Sequence, residues 1–197
     1  MIEDYVYDSM NRLDKLTQYG PDGTPNDLSN NPKIAEYDYT VRADGRRTDL
    51  LERFFTSGGV TENSYSWSYD ALNRLTSETI DSSNDALDRT TSWTFDLTGN
   101  RLNQIVDVGN NGSLDAVTSY TNDANDRLVR EETDKTGTAD DTTTFYGYTG
   151  TQQSAKNVYS GLNASEPSAV SSQQSATSFA YDLQGHPSGP PWIMACH

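Results

Sequence analysis

Apolar positions along this chain follow a short frame with a period of two, in which aromatic residues flank one other residue and then meet Asp. The fullest copies are Tyr5-Val6-Tyr7-Asp8-Ser9-Met10-Asn11-Arg12-Leu13, Trp67-Ser68-Tyr69-Asp70-Ala71-Leu72-Asn73-Arg74-Leu75 and Trp93-Thr94-Phe95-Asp96-Leu97-Thr98-Gly99-Asn100-Arg101. Weaker copies lie at Tyr39–Arg47, Tyr120–Leu128 and Phe179–His186, and a degenerate one at Tyr146–Gln152. Their fourth positions, 8, 42, 70, 96, 123, 149 and 182, are separated by 34, 28, 26, 27, 26 and 33 residues. A nearly constant step with variable insertions marks an array of structural repeats.

Each position of the frame has a physical role. Alternation puts both aromatic rings on one face of a strand. Asp at the fourth position can accept hydrogen bonds from the backbone N–H groups that follow it, and Gly or Asn three residues later tolerates the left-handed conformation. Together these predict a type I turn with a bulge, closing a β-hairpin. The following residues, such as Arg74–Ile80 and Arg127–Thr133, alternate less cleanly but are rich in Thr and aliphatics, and they read as return strands. Polar stretches at Pro21–Pro25, Asp81–Asp85, Asp107–Gly112 and Asp134–Gly137 read as the opposite turns of a meander. One repeat is then two strands and two turns, and no segment reads as a helix. The expected array covers residues 1–187. A Ser-, Gln- and Ala-rich insertion at 151–178 is read as a long loop or flexible stretch, and 188–197 as an irregular tail.

Composition first argues against a fold. The chain has 197 residues, 14 Lys and Arg against 29 Asp and Glu, a net charge of −15 and a pI near 4.3. Leu, Ile, Val and Phe make up about 17% of it, below the roughly 20% at which high charge signals disorder. The 12 Tyr and 3 Trp reverse that inference, because they are large and concentrated in the repeat frame. The negative charge excludes a phosphate-neutralising nucleic-acid binder. No run of about 18 apolar residues exists to span a bilayer, and the opening MIEDYVYDSM lacks the basic and apolar segments of a secretory signal. The one cysteine, Cys196, excludes an intramolecular disulfide, and His186 and His197 are too few for a multi-His metal site.

The recurrent YDSMNRL, YDALNRL, FDLTGNR and YDLQGH stretches resemble the YD-repeat, or Rhs-repeat, family of bacterial surface and toxin-delivery proteins, to which the teneurin shell is similar. The resemblance covers roughly residues 5–187. It implies an all-β fold, an array of antiparallel hairpins joined into a continuous twisted or spiralling sheet that forms part of a hollow shell. It also implies a secreted or surface-exposed parent protein, whose partners are the rest of that polypeptide and a toxin cargo, a surface carbohydrate or a protein on a neighbouring cell. The chain departs from the family pattern by beginning inside a repeat and by having fewer repeats than a closed shell needs. It also ends in Ser188–His197, with consecutive Pro190 and Pro191 that suit a strand badly. That tail reads as a truncated or frame-shifted end. The family's terminal self-cleavage motif and toxin domain find no counterpart.

Asp107–Asp115 places oxygen ligands at alternate positions with Gly112 at the sixth, like half of a calcium loop. Thr118 stands where the bidentate carboxylate should be, and no helices flank the loop, so turn formation is the preferred reading. Asp81 to Asp88 and Asp134 to Asp141 resemble it but are off in spacing. Asp140-Asp141 and Glu131-Glu132 could suggest a glycosidase, but a general acid needs a carboxyl raised by burial. Asp8, Asp70, Asp96, Asp123 and Asp182 recur with the turn and read as turn caps, and His186 as an ordinary repeat variant. No nucleophile-elbow, phosphate-loop, dinucleotide or zinc-protease motif is present. The sequence therefore assigns no catalytic, cofactor-binding or metal residue. It points to a non-enzymatic scaffold or encapsulating module, with a carbohydrate- or partner-binding module using exposed aromatic rows as the alternative. What separates the two is whether those rows pack as a cross-strand ladder or face solvent.

Overall fold

The computed structural model describes residues 1–21, 30–138, 140–162, 173–178 and 192–195. Among the described residues it is all-β apart from one 3₁₀ turn at Asp85–Leu87. The strands are β1 Ile2–Tyr7, β2 Leu13–Tyr19, β3 Lys33–Val41, β4 Arg47–Thr56, β5 Gly59–Tyr69, β6 Leu75–Ser82 and β7 Arg89–Phe95. They continue as β8 Arg101–Val108, β9 Ala116–Asn122, β10 Leu128–Lys135, β11 Thr142–Thr149, β12 Gln152–Ser160, β13 Gln173–Ser178 and β14 Trp192–Ala195. Strand order follows chain order, and the described pairs are antiparallel. Two compact units divide the chain: Met1–Ser92 with Asp107–Ser113, and Trp93–Val106 with Leu114–His197.

The turn predicted from the frame closes β1–β2, β3–β4, β5–β6, β7–β8 and β9–β10. In the first, Asn11 N–H donates to Asp8 C=O at 3.0 Å and Asp8 N–H to Arg12 C=O at 2.9 Å. The same two bonds recur at Arg42/Gly45/Arg46, Asp70/Asn73/Arg74, Asp96/Gly99/Asn100 and Asp123/Asp126/Arg127. The residue three after the first is left-handed each time, with φ of 60° at Asn11, 89° at Gly45, 70° at Asn73, 103° at Gly99 and 59° at Asp126. Asn, Asp and Gly are the residues that tolerate this geometry. The degenerate copy differs: Thr149 pairs with Gln152 across the two-residue turn Gly150-Thr151.

A second irregularity recurs just beyond the turn. The register shifts between Val6/Tyr7, Thr40/Val41, Ser68/Tyr69 and Gly147/Tyr148, and between Leu128/Arg130, leaving one extra residue on each return strand. Such a bulge flips the phase of side-chain alternation. It accounts for the poor alternation of the return strands.

In the first unit the two faces of the sheet differ. Leu16, Tyr37, Leu50, Phe54, Tyr65 and Ile80 lie opposite one another or two residues apart on one face. Tyr37 meets Phe54 edge-on at 6.2 Å and Tyr65 stacks on Trp67 at 6.0 Å. Lys15, Glu36, Asp38, Arg53 and Glu62 share the other face. In the second unit Phe145 meets Tyr159 edge-on at 5.8 Å. Among the described residues Ala35 is the one fully buried apolar side chain. The rings are mostly half-buried, and Tyr5 and Tyr7 remain 46% and 53% exposed.

Two expectations are corrected. The segment 151–178, read as a loop, contains β12 and β13, with Val158 opposite Ser175 and Lys156 opposite Thr177. Its polar residues were a poor strand signal, because pairing with β11 supplies what local propensity does not. The tail, read as irregular, contains β14, paired Ser178↔Trp192 to Ser175↔Ala195. Asp182, His186, Pro190, Pro191, Cys196 and His197 lie outside the described residues, as does most of Pro21–Pro25.

Candidate functional site

The recurrent Asp is a built feature of each turn. Asp8 Oδ1 accepts from the N–H of Met10 at 2.8 Å and of Arg12 at 2.9 Å, while Oδ2 accepts from Arg12 Nε at 2.6 Å. Asp70 repeats this with Leu72 and Arg74, and Asp123 with Asn125 and Arg127. Asp96 accepts from Thr98, Gly99 and Asn100 N–H and from Asn100 Nδ2. Arg42 stands where Asp is expected, and Asp44 compensates by accepting from Arg46 N–H at 3.1 Å and Nη1 at 2.8 Å. Backbone donation from the eighth-position Arg lowers the Asp8 and Asp70 carboxyls, and the Arg127 side chain lowers Asp123. Partial desolvation pushes Asp96 up, but hydrogen bonds from Thr98, Asn100 and Gly99 outweigh it and hold the group at about 2. These are ionised turn caps.

The eighth position does more than the sequence suggested. Arg12 Nη1 also donates to Arg42 C=O, and Arg127 Nη1 to Gly150 C=O, each in the turn of the next repeat. Asn100 Nδ2 likewise donates to Asp126 Oδ1 at 2.7 Å. Arg46 lies over the Tyr69 ring at 5.7 Å and Arg127 over Tyr148 at 4.8 Å. Those two tyrosines answer in the reverse direction: Tyr69 OH donates to Arg47 C=O at 3.1 Å and Tyr148 OH to Leu128 C=O at 2.8 Å. Consensus residues thus latch the first repeat to the second, the second to the third, the fourth to the fifth and the fifth to the sixth. Tyr148→Phe, which keeps the ring under Arg127 but deletes the hydroxyl bond to Leu128 C=O, is expected to lower stability by about 1 kcal/mol. Urea denaturation with an unchanged midpoint would dismiss that bond as energetically idle.

An ionic ladder crosses β2 to β5. Glu36, whose side chain is 6% exposed, pairs with Lys33 at 2.5 Å, Lys15 at 3.1 Å and Arg53 at 2.9 Å. Arg53 continues to Asp38 at 2.6 Å and Glu62 at 2.8 Å, and Lys15 also reaches Asp38 at 3.1 Å. Burial would raise the Glu36 carboxyl, but hydrogen bonds from Lys33 and Lys15 outweigh it and bring the group to about 2. The residues of this network are scattered over 48 positions of sequence, and no local signal joined them.

Asp107, Asp88, Asp141, Glu131 and Glu132 are committed to structural contacts. Asp107 accepts from Asn111 N–H at 3.1 Å and Gly112 N–H at 2.8 Å, and Asp88 accepts from Ser82 N–H at 2.7 Å. Asp141 accepts from Lys135 N–H at 2.9 Å. Glu131 and Glu132, adjacent in β10, point to opposite faces; Glu131 accepts from Tyr146 OH at 2.8 Å and Glu132 pairs with Arg130. Among the described residues no three His, Cys, Asp or Glu side chains come together as a metal cluster. No described helix is long and apolar enough to cross a membrane.

No protein-family model matches the chain, and no curated protein matches it. Among solved structures it is similar to the crystal structure of TcdB2-TccC3-TEV, with a TM-score of 0.29 and 10% identity over 90% of this chain. The match spans 12% of the length of that chain. A likeness this distant decides nothing about the fold or function here.

Proposed function

We propose that this chain is a non-enzymatic structural module, a segment of wall in a secreted or surface-exposed protein of the Rhs or YD-repeat kind, serving encapsulation of a toxin or adhesion. The observation that carries the reading is the latch: consensus Arg, Asn and Tyr side chains of one repeat are completed by the backbone, a turn carboxylate and rings of its neighbour. Repeated carboxylates capping their own turns suit an architectural role, since a group needed once for chemistry has no reason to recur. Stability then grows as repeats are added. In β1 the third-position Tyr7 is 53% exposed, and its hydroxyl makes no bond of the Tyr69 or Tyr148 kind among the described residues. Fusing one consensus hairpin in frame before β1 should therefore raise the thermal midpoint by at least about 3 °C. An unchanged or lower midpoint would sink the reading.

The second reading is a binding module for carbohydrate or a partner protein. The half-exposed state of the aromatic rows favours it, because rings that pack across strands still present part of their faces to solvent.

A further inference from the structure

Most arginines in this chain are tied to carboxylates, yet the Arg101 guanidinium makes no hydrogen bond or ion pair among the described residues. Its place in the frame explains why. In the fourth repeat Asn100 takes the eighth position and satisfies Asp96. Arg101 therefore falls at the ninth, where Leu13, Leu75 and Leu128 stand in three other repeats and Arg47 in the second. It lies between two rings, 5.8 Å from the centroid of Trp93 and 5.6 Å from that of Tyr120. With Tyr120, Asn122 and Leu128 it lines a cleft of about 230 Å³, below the roughly 300–1,000 Å³ of pockets for drug-sized molecules. The indole Nε1 of Trp93 is a second donor without an acceptor, buried and unpaired among the described residues.

We propose that this cleft is a subsite for a single carboxylated sugar ring, with the carboxylate on Arg101 and the ring against Tyr120. A planar guanidinium is built for two-pronged recognition of a carboxylate, and the flanking rings hold it extended at little entropic cost. An aromatic side chain gives the apolar face of a sugar a flat surface, and Asn122 supplies a donor and an acceptor for hydroxyls. A peptide carboxylate fits less well. β9 pairs with β10 through Tyr120 and Asn122, which takes up one of its edges here against a peptide backbone. The inference is independent of the scaffold reading, since a wall can carry such a subsite on its surface.

The test is a titration of the full chain at 0.15 M salt, a condition set near physiological ionic strength, with sodium glucuronate, glucose, sodium acetate and N-acetyl-aspartate amide. Tryptophan fluorescence is the readout, since Trp93 borders Arg101. The expected result is a saturable response to glucuronate that glucose, acetate and the aspartate derivative do not match. Arg101→Leu installs the residue other repeats use at this position. It should keep the thermal midpoint within about 2 °C and weaken glucuronate binding at least tenfold, the loss expected for hydrogen bonds to a charged group. The proposal is overturned by no saturable response, by an equal response to glucose or acetate, by tighter binding of the aspartate derivative, or by undiminished binding in Arg101→Leu. If the substitution unfolds the chain, Arg101→Lys replaces it, and unchanged affinity there counts against the two-pronged contact.

Discussion

Glu36→Ala is expected to destabilise the chain by about 2–3 kcal/mol, read as a fall in the urea midpoint. The side chain is nearly inaccessible and touches three cations, so its removal strands Lys15, Lys33 and Arg53 around an unfilled centre. Removing one partner of a buried pair costs about 3–5 kcal/mol. The lower figure applies because those cations are between about a quarter and two-fifths exposed and regain some hydration. Glu36→Gln, which keeps the shape and part of the hydrogen bonding, should fall between Ala and the parent. A parent-like midpoint for Ala would show the ladder to be a surface decoration.

The same group sets a pH dependence whose sign is determined. Its carboxyl lies at about 2 in the folded chain against an ordinary 4.5, so folding favours the ionised form. The stabilisation is complete above about pH 4.5 and is lost as pH falls toward 2, on the order of 3 kcal/mol at 1.4 kcal/mol per unit. The turn carboxylates Asp8, Asp70, Asp96 and Asp123 are also lowered and add loss in the same direction. Stability measured from pH 6 down to 2 should therefore decline, and the decline should be shallower in Glu36→Gln. Identical slopes would remove Glu36 from the account.

Asn73→Val is the second large effect, with an expected loss of about 1–2 kcal/mol. Asn73 has φ of 70°, and its N–H closes the turn onto Asp70 C=O. A β-branched side chain in that conformation crowds its own backbone, whereas Gly meets no such penalty. Asn73→Gly should accordingly match or slightly exceed the parent, as Gly45 and Gly99 do the same task in other repeats. Equal midpoints for Val and Gly would mean that the left-handed turn does not hold the hairpin.

The turn was legible in the sequence because every interaction that makes it spans four residues or fewer. Asp8 caps Met10 and Arg12, and Asn11 turns the chain, without help from any distant residue. The inter-repeat role of Arg127 was not legible, since its acceptor, Gly150 C=O, stands 23 residues away in a turn of different length. The Arg101 cleft was hidden for a related reason. A Leu or Arg choice at the ninth position looked like tolerance until the fold set Trp93 and Tyr120 on either side of it.

What the amino-acid sequence determined by itself was the local grammar: aromatic alternation, a capped left-handed turn, and its recurrence, which together specify antiparallel hairpins. Only the tertiary structure decided which polar residues meet, because Glu36 finds Lys15 and Arg53 through register across neighbouring strands. It also decided where alternation breaks, since the bulges beyond the turns at Tyr7 and Tyr69 each add a residue that pairing must absorb. And it made strands of Gln152–Ser160 and Gln173–Ser178, whose own composition is weakly suited to a strand, because an already formed neighbour offers its backbone hydrogen bonds to whatever follows.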